Sequence, residues 1–342
     1  MPYRIAFAGL YFHIGCLLDA GDPRLELAAI ADRAYPEEHL FHNPAVNPEA
    51  LAAERGVPLF ADWREMLDRE RPDILAVYAV DARKAEIACE GLRRGMHVIA
   101  DKPLCTTLEG LAETRAVLAE SCGSLALLLP FPFYPIIRRL KALIAGGALG
   151  EILCVRSRRA YIQKVAGRPA WFYTKEHGGG LLCDIGTHDL DLVRFLIGKE
   201  VVVVSAFAGN GKIRRFPTAE DYAQAVFRMT DGLLYSLQLD RVSPPNAAGD
   251  QSALEIYGTR GQAIIPQGFS TLAVTLEGRD GPEVVETFPA GCYAELIQAY
   301  LGALDAGDYS APFFAPHVFG SVEGVLKAQQ SADQARQSTV VE

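Results

Sequence analysis

Over its first 129 residues the chain alternates short apolar runs with stretches of helical spacing, and this alternation constrains the fold more than any other feature. Tyr3 to Ala8, Leu25 to Ala31, Asp73 to Tyr78, His97 to Ala100 and Ser124 to Leu129 read as buried strands. Pro48 to Arg55, Trp63 to Arg69, Arg83 to Arg94 and Leu108 to Ser121 read as helices between them. Strands joined through helices run parallel, and their near-continuous apolar character requires cover on both faces. The expected architecture is therefore α/β, a doubly wound parallel sheet.

After Gly150 the pattern changes. Ile152 to Ile162, Val201 to Gly209, Tyr222 to Met229, Leu233 to Asp240, Leu254 to Tyr257, Ala263 to Ile265 and Leu272 to Leu276 read as strands. Asp231-Gly232 and Tyr257-Gly258-Thr259-Arg260-Gly261 supply hairpin turns between them. This predicts a second α/β domain on a large, open, mostly antiparallel sheet with helices on one face. The expected domains are 1–125 and 126–342. Tyr293 to Leu304 and Val318 to Arg336 read as helices, and the last, about 318–336, is expected to pack back on the first domain. An open sheet face needs cover, and self-association as a homodimer or homotetramer is the simplest source.

The 342 residues are half apolar, with a formal net charge of −9, so the chain reads as globular rather than disordered. The charge and the absence of a basic run exclude a nucleic-acid surface. Arg156, Arg158 and Arg159 alternate as on a strand and read as a solvated or interface edge. The longest apolar run outside the first strand and helix, Leu125 to Ile137, contains three prolines and is too short to span a bilayer, so no membrane role follows. Seven scattered cysteines without a Cys-x-x-Cys pair fit a reducing, cytoplasmic setting, and no metal-ligand spacing is evident.

Three strand ends and one helix carry the chemistry. The first strand ends in Gly9-Leu-Tyr11-Phe12-His13-Ile14-Gly15, where a dinucleotide site wants Gly-x-Gly-x-x-Gly to let phosphates approach the backbone. Only the first glycine is in place. The second strand ends in Asp32-Arg33, where a carboxylate accepts hydrogen bonds from ribose hydroxyls and repels a 2′-phosphate, favouring NAD. Arg33 can reach a phosphate and leaves NADP open. The fourth strand runs into Asp101-Lys102-Pro103, placing a lysine at the strand end where such sheets bind ligands. Finally, Gly178-Gly179-Gly180 precedes Leu181 to Leu196, whose apolar residues recur at helical spacing up to Gly198. That spacing places Asp184 and His188 on one helical face, with Asp191 one turn further. The glycines would let the entering backbone approach a ligand closely.

Asp-Lys-Pro, followed roughly eighty residues later by Gly-Gly-Gly-x-x-x-Asp-x-Gly-x-His-x-x-Asp, resembles the glucose-fructose oxidoreductase, inositol dehydrogenase and rhizopine catabolism family (Gfo/Idh/MocA). Gly95-Met-His97-Val98 and Gly150-Glu151 fall in the family's order. The resemblance implies a Rossmann domain, a C-terminal open-sheet domain, and nicotinamide-dependent oxidation or reduction of a CH–OH group in a sugar, cyclitol or related polyol. It makes Lys102, Asp184 and His188 the catalytic candidates. His188 is the natural base, because an unperturbed imidazole titrates near neutral pH. Lys102 would hold and polarise the oxygen, and Asp184 would orient substrate hydroxyls or the imidazole.

The cofactor candidates are Gly9, Tyr11, Phe12, His13, Ile14, Asp32, Arg33, Asp101 and Lys102, with Ala79, Val80, Asp81 and Lys84 standing where the family commonly has Thr-Pro-Asn and a histidine. Pro132-Phe133-Tyr134-Pro135 replaces a family segment that carries a cation. Tyr161, Arg168, Trp171, Asp184 and His188 are the substrate candidates, because aromatic rings stack on sugar faces and arginine reads hydroxyls or carboxylates. Asp240 and Arg241, at a strand end, are further possibilities. Two rival readings share the fold: a nicotinamide-binding regulator without turnover, favoured by the altered glycine turn, and a glycosidase using bound NAD for transient oxidation.

Overall fold

A computed structural model describes residues 1–32, 41–162, 167–243, 252–266, 268–278, 281–282, 284–289 and 293–335. Its contacts divide the chain into two units. Unit 1 comprises residues 1–128, 164–179 and 293–322, and unit 2 comprises 129–163, 180–292 and 323–342.

Unit 1 is built on six strands: β1 (Tyr3–Ala8), β2 (Leu25–Ala31), β3 (Leu59–Phe60), β4 (Ile74–Val77), β5 (His97–Ala100) and β6 (Leu125–Leu127). Every pairing is parallel and the order is β3-β2-β1-β4-β5-β6. The order reverses between β1 and β4, and the crevice beyond the strand ends at such a reversal is where open α/β sheets bind ligands. The strands are largely apolar because both faces are covered: Ala6, Ile30, Ile74, Leu75, Ala76, Val77, Val98 and Ile99 are all completely buried. The helices between them are α1 (Gly15–Leu18), α2 (Pro48–Arg55), α3 (Trp63–Glu70), α4 (Lys84–Arg93) and α5 (Leu108–Glu120). Asn47, Asp62 and Thr107 cap α2, α3 and α5 with side-chain oxygens, which explains why these helices start where they do. By contrast α1 is one turn long, with no side-chain cap.

Unit 2 carries an eight-stranded sheet. Its strands are β7 (Ile152–Ile162), β8 (Val201–Gly209), β9 (Tyr222–Met229), β10 (Leu234–Ser243), β11 (Ala253–Gly258), β12 (Gly261–Ile265), β13 (Thr271–Leu276) and β14 (Val284–Thr287), in the order β14-β13-β12-β11-β7-β10-β9-β8. Only β7 and β10 pair in parallel. Asp231 (φ 60°) and Gly232 (φ 81°) turn β9 into β10, the paired positive φ values that suit a tight hairpin to strand twist. One sheet face packs on α6 (Pro135–Ala145), α7 (Thr187–Ile197) and the later turns of the helix Ala315–Ala335. There Ile137, Leu140, Val193 and Ala328 meet Val155, Phe227, Leu237 and Ile256 in one core. The opposite face leaves Leu153, Val202, Phe207, Tyr222, Val226 and Leu234 about half exposed or more.

Two expectations need correction. Arg159 is not part of a solvated edge: β7 is central in the sheet, and the Arg159 side chain is buried, paired at 3.0 Å through both Nε and Nη2 with Asp189. Phe131 and Phe269 flank its guanidinium at 4.6 and 4.5 Å. Arg156 and Arg158 do face outward, toward Glu255 and Asp240. The single helix expected from Leu181 is instead a π-helical turn over Leu182–Gly186 that continues into α7, ended by Gly198 in the left-handed conformation. Thr187 Oγ1 donates to the Cys183 carbonyl at 2.6 Å there, a side-chain bond into a region where the regular backbone ladder is interrupted.

Candidate active site

In unit 1 the turn after β1 is fixed by close backbone packing. A Cβ on Gly9 (φ 83°) would stand 2.6 Å from Ala79 Cα and from the Tyr78 carbonyl oxygen, so no other residue fits between the ends of β1 and β4. Tyr11 is buried, donating its hydroxyl to the Phe41 carbonyl at 2.7 Å, and Ile14 is buried ahead of α1. Phe12 takes a left-handed conformation (φ 59°) without being glycine. Its ring is held by Trp171 at 5.7 Å and Phe172 at 5.2 Å.

Gly9, Tyr11, Asp32, Trp63, Ala79 and Glu86 contribute to the walls of a cleft beyond the strand ends. Burial, with Glu49 adding to it, pushes the Asp32 carboxyl up to about 7. Arg64 lies 4.0 Å from the Trp63 ring centroid and donates to Glu86 at 2.5 Å, while Arg83 reaches the other Glu86 oxygen at 3.0 Å. Burial opposes the Glu86 charge, but the two guanidinium groups outweigh it and hold its carboxyl below the usual range. Among the described residues of this cleft, Arg64 and Arg83 are thus both committed to the Glu86 carboxylate. The sequence reading missed Trp63, Arg64 and Glu86; the available signal was the Asp62 cap, which places Trp63 and Arg64 in the first turn of α3. Arg33 lies outside the described residues.

A second cluster of unit 1 surrounds Lys102. Asp101 is buried and takes His13 Nδ1 at 3.0 Å. Burial raises its carboxyl, but His13, Lys84 and Lys102 together hold it well below the usual carboxylate range. Lys84, expected on a loop bordering the cofactor, is completely buried: its Nζ pairs with Asp81 at 2.8 Å and donates to the Lys102 carbonyl at 3.0 Å. Val80 is buried beside them, ahead of the helical turn Asp81–Arg83. The backbone of Lys102 is thus held from beneath while its side chain retains slight exposure, 8%. Trp171 is fully buried against Tyr11 (5.2 Å) and Phe12.

In unit 2 the Asp184 carboxylate, at the centre of the π turn, takes a hydrogen-bonded ion pair from Arg241 Nη2, both groups being buried. His188 follows in the first turn of α7 with its ring 5.6 Å from Phe131, and Asp191 is buried one turn on. Tyr161 is 40% exposed near the end of β7. The triple glycine is explained by protein contacts: a Cβ on Gly178 would lie 2.5 Å from the Phe172 carbonyl oxygen. One on Gly180 (φ 105°) would lie 2.4 Å from Gln329 and 2.8 Å from Glu220. Those two side chains accept the Leu182 and Leu181 amide protons, tying down the start of the π turn. Gly178 and Gly180 are thus required by the protein's own packing.

Residues 4–125 match the oxidoreductase family with an NAD-binding Rossmann fold, and 137–264 match the GFO/IDH/MocA C-terminal domain, so both units match in chain order. The chain belongs to the Gfo/Idh/MocA family. It is accordingly an NAD-dependent oxidoreductase. Among its relatives, 1,5-anhydro-D-fructose reductase of Ensifer adhaerens is 27% identical over 266 residues, 75% of this chain and 77% of that protein. Inositol 2-dehydrogenase 2 of Saccharopolyspora erythraea is 26% identical over 266 residues, 76% and 74% of the two chains. An inositol dehydrogenase homologue from Azotobacter vinelandii, solved with NADH and myo-inositol, superimposes with a TM-score of 0.77 at 19% identity, covering 98% of this chain and 96% of that one. The cleft at the β1/β4 reversal fits the NAD requirement of the family: Asp32 would hold the adenosine ribose, and the Gly9 turn would border the phosphates.

Proposed function

We propose that this Gfo/Idh/MocA enzyme interconverts a secondary alcohol and a ketone on a sugar, cyclitol or related polyol, with Lys102, Asp184 and His188 acting in that reaction. The observation that carries the reading is the Asp184–Arg241 pair at the π turn, directly ahead of His188 on α7, in a chain that also keeps Lys102 at the end of β5. NAD, when bound, supplies hydride acceptance and return. The protein's own task is to move the hydroxyl proton and to stabilise charge on the oxygen. His188 Nε2 or Nδ1 takes the proton, whichever nitrogen is unprotonated. Lys102 Nζ donates to the substrate oxygen and holds negative charge there as the carbonyl forms. Asp184, its charge balanced by Arg241, accepts hydrogen bonds from neighbouring hydroxyls and fixes which carbon is presented. Tyr161 is the remaining candidate for a sugar-face contact.

The test is NADH formation across a panel of cyclitols, aldoses and sugar acids, with Lys102→Ala and His188→Ala measured on the best substrate. Each variant should lose at least about 100-fold in kcat, the scale of a positioned acid or base, with NADH affinity changed no more than about threefold. Wild-type turnover in both variants would refute the assignment.

We further propose a homodimer or homotetramer, with a second copy covering the outer face of β8, β9 and β10, where Phe207, Tyr222, Val226 and Leu234 are exposed. No disulfide joins the six described cysteines, which supports a cytoplasmic setting. No helix among the described residues is long and apolar enough to cross a membrane.

A further inference from the structure

The turn that should cradle the cofactor phosphates is poorly equipped in this chain. Tyr11 and Ile14 occupy two of the three glycine positions, so the backbone cannot offer phosphates the usual close approach, and the helix that follows is only four residues long. A pyrophosphate brings two negative charges, and so short a helix has little dipole to balance them.

A cation stands beside this turn from an unexpected part of the chain. The Arg168 guanidinium carbon lies 5.0 Å from the Phe12 ring centroid and 4.4 Å from that of Phe172. Phe12 is itself the left-handed residue of the turn, and the two rings meet edge to face at 5.2 Å. Two aromatic faces fix the guanidinium without using its N–H groups, so the donors are left available in a preset plane. Among the described residues Arg168 has no carboxylate partner, unlike Arg64 and Arg83, which are both engaged by Glu86.

We propose that Arg168 binds the pyrophosphate of the dinucleotide, substituting for the glycines that the Gly9–Ile14 turn lacks. This rests on the NAD dependence of the family and moves Arg168 from the substrate side to the cofactor side. Its seat favours the pyrophosphate over a 2′-phosphate, because the turn it touches follows β1, whereas a 2′-phosphate would sit at the end of β2 beside Asp32. A planar fork of N–H donors matches two non-bridging phosphate oxygens.

The experiment is direct binding, by calorimetry, of NADH, ADP-ribose and adenosine to wild type, Arg168→Met and Arg168→Lys. Loss of one charge-assisted contact predicts that Arg168→Met binds NADH and ADP-ribose about 10- to 100-fold more weakly, with adenosine affinity within about threefold of wild type. Arg168→Lys should recover part of the loss, and ADP-ribose binding to Arg168→Met should depend less steeply on salt. Unchanged ADP-ribose affinity in Arg168→Met, with KM for the polyol raised instead, would overturn the proposal in favour of a substrate contact. An equal loss for adenosine would overturn it in favour of a packing role. Failure of wild type to bind NADH or ADP-ribose at all would indict the cofactor reading itself.

Discussion

If Asp32 holds the adenosine ribose, it should tie the stability of the free enzyme to its affinity for cofactor. With its carboxyl at about 7 in the fold against 3.8 in an open chain, folding favours the protonated form. The unfolded chain releases the proton near pH 4 and the folded one near pH 7, so the folded state binds the extra proton throughout that window. Stability therefore falls by about 1.4 kcal/mol per pH unit from 4 to 7 and is flat above, about 4 kcal/mol in all. Ribose hydroxyls require the opposite state, a carboxylate that only accepts. NADH affinity should consequently rise with pH, by about 30-fold between pH 5.5 and 8, since a group titrating at about 7 is ionised to roughly one part in thirty at pH 5.5. Asp32→Asn removes both dependences. Relative to that variant, wild type without nucleotide should lose about 2 kcal/mol between pH 5.5 and 8.5, read as the difference in denaturant unfolding. The variant should bind NADH weakly and with a flatter pH profile. If the wild-type and Asp32→Asn stability profiles run parallel over this range, or if NADH binds wild type equally at pH 5.5 and 8, the buried-carboxylate reasoning is wrong.

Two further predictions concern unit 2. Arg241→Met removes a buried ion-pair partner of Asp184, so it should cost up to about 3–5 kcal/mol of stability, and a substantial part should return in Arg241→Met/Asp184→Asn; the thermal melts of the single and double variants decide this. Phe207→Glu with Val226→Glu places charge on the outer face of β8 and β9. It should shift the enzyme to monomers in size-exclusion chromatography with light scattering, and an unchanged mass would remove that face from the interface.

The parallel sheet of unit 1 was legible because its strands are buried on both faces and its helices carry Asn47, Asp62 and Thr107 at their starts. The two residues of β3 were too few for any periodicity to register, and β14 was missed as well. Lys102, Asp184 and His188 stood out through order and spacing along the chain. Arg241 stood out only as a residue at a strand end; its pairing with Asp184, 57 positions away, was not legible, nor was that of Arg159 with Asp189, 30 apart, because no local pattern links residues at such distances. The π turn was hidden for another reason: the apolar positions from Leu182 to Leu196 satisfy an ordinary helical period, and what interrupts it is tertiary, Glu220 and Gln329 gripping the amides at its start. That Asp81 and Lys84 pair in the interior was not legible either, because two charges three residues apart carry no signal of depth.

That pair also bears on how the enzyme can change over time. Asp81 and Lys84 are each about 1% exposed and hold one another beneath the backbone of Lys102. Replacing either alone unbalances that buried cluster, in which Asp101 also feels Lys84, at a cost of about 3–5 kcal/mol, a sizeable share of a domain's net stability. A lineage leaving this arrangement meets that cost at its first step unless both codons change together. Positions 81 and 84 form a single unit of inheritance, insulated from drift although neither is assigned a direct part in the chemistry.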